Sequence, residues 1–141
     1  KRIRLETNGC DPNTLDDLIG ANLIDFVSMD IKAPLTADEY AMNTNAICNM
    51  ENIEKSIKVV MDSDVDYEFV VTIVPIHITS TDLESICSSI KGAKCLRLNQ
   101  FVPGDCFDSA LNHISPYKEK VIREMEGIAR NYVKKVRVSG L

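Results

Sequence analysis

No stretch of this chain approaches the roughly 18 consecutive apolar residues that a membrane-spanning helix needs, and its first residues carry no apolar core of a secretion signal. A membrane partner is therefore not expected, and a cytoplasmic setting is. Positive charge is also short. Sixteen Lys and Arg stand against 21 Asp and Glu, giving a formal net charge of −5, and no basic stripe interleaved with aromatics can be found. Binding to a nucleic-acid backbone is disfavoured, because that affinity comes from neutralised phosphates. The five cysteines, at 10, 48, 87, 95 and 106, are never closer than eight positions, so no CxxC or CxxxCxxC ligand cluster exists. Their odd number also argues against a disulfide framework. Cys87 on an apolar helix face and Cys95 at the mouth of a strand read as small core residues. A glycine-rich phosphate loop, a GxSxG elbow and an HExxH helix are all missing, so nucleotide hydrolysis, serine hydrolase and zinc protease readings lack support. Internal repeats and low-complexity tracts are absent as well.

What is present is a regular alternation. With 141 residues and 45% hydrophobic content, the chain can bury one core and form one domain. Strands are expected near 2–6, 25–31, 67–74 and 95–101, with a short last strand at 134–138, and helices lie between them. This order predicts an α/β fold of parallel strands with crossover helices. Asp11-Pro12 opens the first helix as N-cap and first helical residue, and Gly20 marks its end. Thr36-x-x-Glu39 caps a connection before a longer helix with Ile53, Ile57, Val60 and Met61 inward, so that 36–50 reads as an insertion over one edge of the sheet. Thr81-x-x-Glu84 is expected to box the next helix, with Leu83, Ile86, Cys87 and Ile90 inward and Gly92 just beyond it. A loop through Gly104 and Asp105 leads to the last helix, expected to begin with Ser115 as cap and Pro116 at its first position. Its apolar positions from 121 to 133 follow the helical period.

In a parallel sheet all C-terminal strand ends lie on one edge, and four of these strands run out into polar segments there: Glu6-Thr7-Asn8-Gly9, Asp30-Ile31-Lys32, Pro75-Ile76-His77 and Asn99-Gln100-Phe101. Strand two is the most informative. Ser28, Asp30 and Lys32 share one parity, and Val27, Met29 and Ile31 share the other. A carboxylate and an amine side by side at a strand end either pair with each other or hold a charged ligand, and the pattern alone leaves both open. Glu6 before Thr7-Asn8-Gly9 could accept from a ribose diol, or the segment is a plain turn. His77 and His113 have no visible partners and read as loop residues.

Taken in order, the runs LETNGCDP, FVSMDIKAPL, YEFVVTIVP and LRLNQFVPG resemble the second half of the radical S-adenosylmethionine superfamily. The branch they look most like is the activating enzymes of glycyl-radical enzymes, such as the anaerobic ribonucleotide reductase and pyruvate formate-lyase activators. The resemblance implies a partial (half) TIM-like barrel, with residues 1–141 as the C-terminal portion of that domain and the cluster-binding first half absent. In that family a [4Fe-4S] cluster on a CxxxCxxC loop of the first half reduces S-adenosylmethionine to a 5′-deoxyadenosyl radical, which abstracts hydrogen from a glycine of the partner enzyme. By the resemblance, Glu6 stands at the ribose, Asp30 and Lys32 at the methionine portion and Gln100 at the same mouth, with Thr7 and Asn8 also among the cofactor-binding residues. The cofactors implied are S-adenosylmethionine and, in a full-length protein only, the cluster; the partner implied is a glycyl-radical enzyme.

The family commonly carries an arginine five residues before the strand-three proline, where this chain has Val70. Two other readings stay open: a non-catalytic α/β binding or scaffold module built on the same fold, and a fragment of an aldolase-type barrel with Lys32 as its amine. Asp30 on the same face weakens the last, because it would hold Lys32 charged. The abrupt entry at Lys1-Arg2-Ile3-Arg4-Leu5 is expected to mark a piece of something longer. An open barrel edge at strand one is expected to favour self-association.

Overall fold

A computed structural model describes residues 1–104, 106 and 108–141, so that Asp105, expected in the loop after the fourth strand, lies outside the described residues. The chain forms β1 (Arg4–Thr7), α1 (Pro12–Gly20), β2 (Phe26–Asp30), α2 (Ala37–Thr44), α3 (Met50–Asp62), β3 (Asp66–Ile73), α4 (Ser80–Ser89), β4 (Leu96–Gln100), a 3-10 turn (Ser109–His113), α5 (Glu119–Ala129) and β5 (Val136–Ser139). The five strands pair in the order β1-β2-β3-β4-β5, all parallel. The expected alternation of parallel strands and crossover helices is therefore the observed one.

A strand order that never reverses, combined with right-handed crossovers, puts every helix on one side of the sheet. The core agrees. Val27, Met29, Ile31, Phe69, Val71, Ile73, Leu96 and Leu98 share a single cluster with Leu15 of α1, Ile53, Ile57 and Val60 of α3, Leu83, Ile86 and Cys87 of α4, and Ile122, Met125 and Ala129 of α5. Each large side chain buried there contributes roughly 1.5–3 kcal/mol. Phe69 meets Tyr67 edge to face, with ring centroids 5.5 Å apart.

The caps explain where the helices begin, and two of them differ from expectation. Asp11 accepts from the Thr14 backbone N–H at 3.1 Å with Pro12 behind it, as the sequence implies. Thr36 caps α2, and a separate cap, Asn49, opens α3. The box on α4, however, is Thr79 with Asp82. The Thr79 N–H donates to the Asp82 carboxylate at 2.8 Å, and the Asp82 N–H returns to the Thr79 hydroxyl at 3.2 Å. Thr81-x-x-Glu84 falls two residues too late, because Thr79 already satisfies the orphan donors. Likewise α5 begins at Glu119 rather than behind Ser115-Pro116, and its N-cap Lys118 makes no side-chain cap. The preceding residues stay extended so that the Tyr117 hydroxyl can reach back to the carbonyl of Pro75 at 3.1 Å.

Candidate functional site

The sheet face away from the helices is polar. Along it Glu6 is in register with Ser28, Ser28 with Glu68, Val70 with Arg97, and Thr72 with Asn99. Glu68 is only 3% exposed, and its Oε1 accepts from Arg4 Nη2 at 2.8 Å, Arg97 Nε at 3.1 Å and Ser28 Oγ at 3.3 Å. Burying a carboxylate there is tolerable only because two guanidiniums and a hydroxyl converge on it. Arg97 passes a second N–H to Asn99 Oδ1 at 3.1 Å, and Ser139 donates to the same oxygen at 2.5 Å. All five strands are thus joined by one charged and polar network.

Toward the C-terminal strand ends this face opens into a cavity of about 270 Å³, lined by Glu6, Ser28, Asp30, Val70, Thr72, Arg97 and Asn99. Beside it lies a second cavity of about 510 Å³, whose walls include Asn8, Cys10, Lys32, Tyr40 and Cys48. Asp30 and Lys32 sit on the rim between them, with Lys32 Nζ 2.8 Å from Asp30 Oδ2. Both side chains are about two-fifths exposed, at 39% and 41%. The ion pair that the strand parity left open is therefore formed, yet it remains accessible.

The loops that carry these groups are pinned from behind. Gly9 takes a φ of +76°, and its carbonyl accepts from the fully buried Ser56 hydroxyl of α3 at 2.8 Å. Asn52 of the same helix donates to the Cys10 carbonyl at 3.1 Å. In the turn itself the Thr7 hydroxyl accepts from the Gly9 N–H and the Asn8 side chain accepts from the Cys10 N–H, both at 3.1 Å. Tyr40 of α2, 1% exposed, receives the Lys32 backbone N–H on its hydroxyl oxygen at 3.2 Å. Burial pushes the Tyr40 phenol up to about 12, so it stays neutral and positions the Lys32 backbone.

The structure brings Glu6, Asp30, Lys32 and Asn8 to one strand-end region, and Thr7 serves the turn beside them. Gln100 lies elsewhere. It follows Leu96 and Leu98 on the helix side, where its Nε2 donates to the Tyr117 carbonyl at 2.6 Å and its buried Oε1 has no partner among the described residues. The neighbour that does line the cavity is Asn99. Arg97, Glu68, Ser56 and Tyr40 carry the site without having stood out in the sequence. Arg97 lies directly beside Val70 and lines the same cavity from the adjacent strand.

No protein-family profile matches the chain. Over 138 aligned residues, 95% of this chain, it is 29% identical to a Methanocaldococcus jannaschii protein provisionally named as a glycyl-radical enzyme activating enzyme. The chain spans 57% of that relative's length. This similarity supports a relationship to activating enzymes of that kind. It runs through nearly every element that frames the two cavities.

Proposed function

We propose that this chain is the cofactor-binding C-terminal part of a radical S-adenosylmethionine enzyme whose partner is a glycyl-radical enzyme, acting in the cytoplasm. The observation that carries the reading is the polar strand-end face. It offers Glu6, Asp30 and Arg97 in one cavity, with Lys32 on its rim, to a ligand whose carboxylate, amine, sulfonium and ribose call for both signs of charge. All-parallel sheets are ordinarily covered on both faces, and a polar uncovered face is what the inside of a partial barrel would present.

The donor set fits S-adenosylmethionine. Glu6 would accept from ribose hydroxyls, Asp30 would hold the ammonium, and Lys32 and Arg97 would face the carboxylate. S-adenosylmethionine would supply the 5′-deoxyadenosyl group on which the family's hydrogen abstraction depends. The donor set for an iron–sulfur cluster is different. Among the described residues no group of three or more metal-ligating side chains exists, and Cys87 and Cys95 are buried, so the cluster does not fit this chain. Its ligands would belong to the other part of a longer protein.

The test is equilibrium binding of S-adenosylmethionine to the chain, with S-adenosylhomocysteine alongside and the D30N variant as control. Saturable binding that D30N weakens at least tenfold supports the reading. Absence of saturable binding at millimolar ligand would sink it. One observation favours the non-catalytic module instead: Asp30 and Lys32 already satisfy each other at 2.8 Å. On that alternative D30N and wild type would behave alike toward the ligand.

A further inference from the structure

Cys10 and Cys48 are far apart in the chain but share the wall of the 510 Å³ cavity. Each is fixed by the first turn of α3. The Cys10 carbonyl takes the Asn52 side-chain N–H at 3.1 Å, and Cys48 immediately precedes Asn49, the residue that caps the helix through the Glu51 N–H at 3.0 Å. The Cys48 sulfur also lies 3.9 Å from the Thr44 hydroxyl. The remaining thiols are placed differently: Cys87 and Cys95 are buried, and Cys106 sits in the loop after β4, 3.6 Å from the Gly104 carbonyl.

We infer that Cys10 and Cys48 form a vicinal dithiol site that a low-molecular-weight disulfide, such as oxidised glutathione, converts to a disulfide across the Asn8 and Lys32 cavity. The Cys48 thiolate attacks one sulfur of the oxidant and expels the other as a thiolate, which leaves a mixed disulfide on Cys48. The Cys10 thiolate then attacks the Cys48 sulfur and releases the second small thiolate. The protein loses two electrons and two protons. The oxidant gains them and leaves as two thiols. Burial and the adjacent Cys48 raise the Cys10 thiol above the ordinary range, and the exchange balances equally with Cys10 attacking first and Cys48 resolving. Closing the bridge ties residues 45–49 to the β1–α1 loop and fixes one wall of the cavity that Lys32 faces. Its effect on S-adenosylmethionine rests on the function proposed above, whereas the bridge itself does not.

Oxidation of the folded chain with excess oxidised glutathione, followed by alkylation and peptide mass spectrometry, tests the inference. The expected result is loss of two of the five thiols, a cross-linked Cys10–Cys48 peptide, and full reversal by dithiothreitol. In C48S, Cys10 is expected to retain a stable glutathione adduct or to stay free, with no new protein disulfide. Wild-type protein that accumulates separate glutathione adducts on Cys10 and Cys48, or that leaves both free while Cys106 reacts, overturns it. The outcome is read from masses, so a failure of ligand binding and a failure of the dithiol are distinguishable.

Discussion

Glu68 and Phe69 are neighbours in β3, and they face opposite worlds. Phe69 is fully buried under the helices with Tyr67, Val71 and Leu96 in the same core, whereas Glu68, nearly as buried, is held by Arg4, Arg97 and Ser28 on the bare side of the sheet. One face is solved by packing, which needs only shape and apolar surface. The other is solved by pairing, which needs specific partners from three strands. A face built by pairing is a costly way to obtain stability.

The largest predicted effect breaks the packed face. Phe69→Ala should cost about 4 kcal/mol, the sum of lost transfer energy and an unfilled cavity among rigid neighbours, read from urea denaturation. Glu68→Gln attacks the paired face and should cost about 2.5 kcal/mol in the same measurement. That is less than the removal of one partner from a fully buried pair, because Arg4 and Arg97 are 43% and 28% exposed and regain water. A loss for Glu68→Gln as large as for Phe69→Ala would mean that both faces are closed to solvent, and the contrast between them would fall.

Gly9 joins the two faces, and substitution there should act on both. Alanine at a φ of +76° is strained, and its Cβ would run into the methyl of Met29, which is fully buried in the core. Gly9→Ala should cost about 1.5 kcal/mol by thermal or urea unfolding. It should also loosen the turn that carries Glu6 and Asn8, so ligand affinity should drop with stability. An unchanged unfolding midpoint would overturn both the backbone-strain and the Met29-contact arguments.

The fold was legible because hydrophobic period and local capping are short-range signals: Asp11-Pro12 and the apolar stripes of α3 and α5 lie within a few turns of one another. Asp30 and Lys32 were legible as neighbours for the same reason, since they lie two residues apart at the end of one strand. Arg97 and Glu68 were not, because their meaning comes from a register that unites β1, β2, β3 and β4, and no window of sequence contains it. Ser56 and Tyr40 stayed hidden because they act on backbone groups of distant loops. Gln100 teaches a narrower lesson. The alternation Leu96-Arg97-Leu98-Asn99-Gln100 already set it with the leucines, and counting parity along β4 would have chosen Asn99 for the cavity.

The smallest predicted effect sharpens the comparison most. Asp30→Asn removes a charge from the same polar face as Glu68, but the pair it breaks is 39% and 41% exposed, where water competes fully for both partners. Its stability cost should stay within about 0.5 kcal/mol in urea denaturation. If Asp30 is there for a ligand, the same substitution should weaken S-adenosylmethionine binding at least tenfold, so that affinity and stability part company at this position alone. A large stability loss from Asp30→Asn would instead make the pair a structural one like Glu68, and the polar face would then be a second core made of charges.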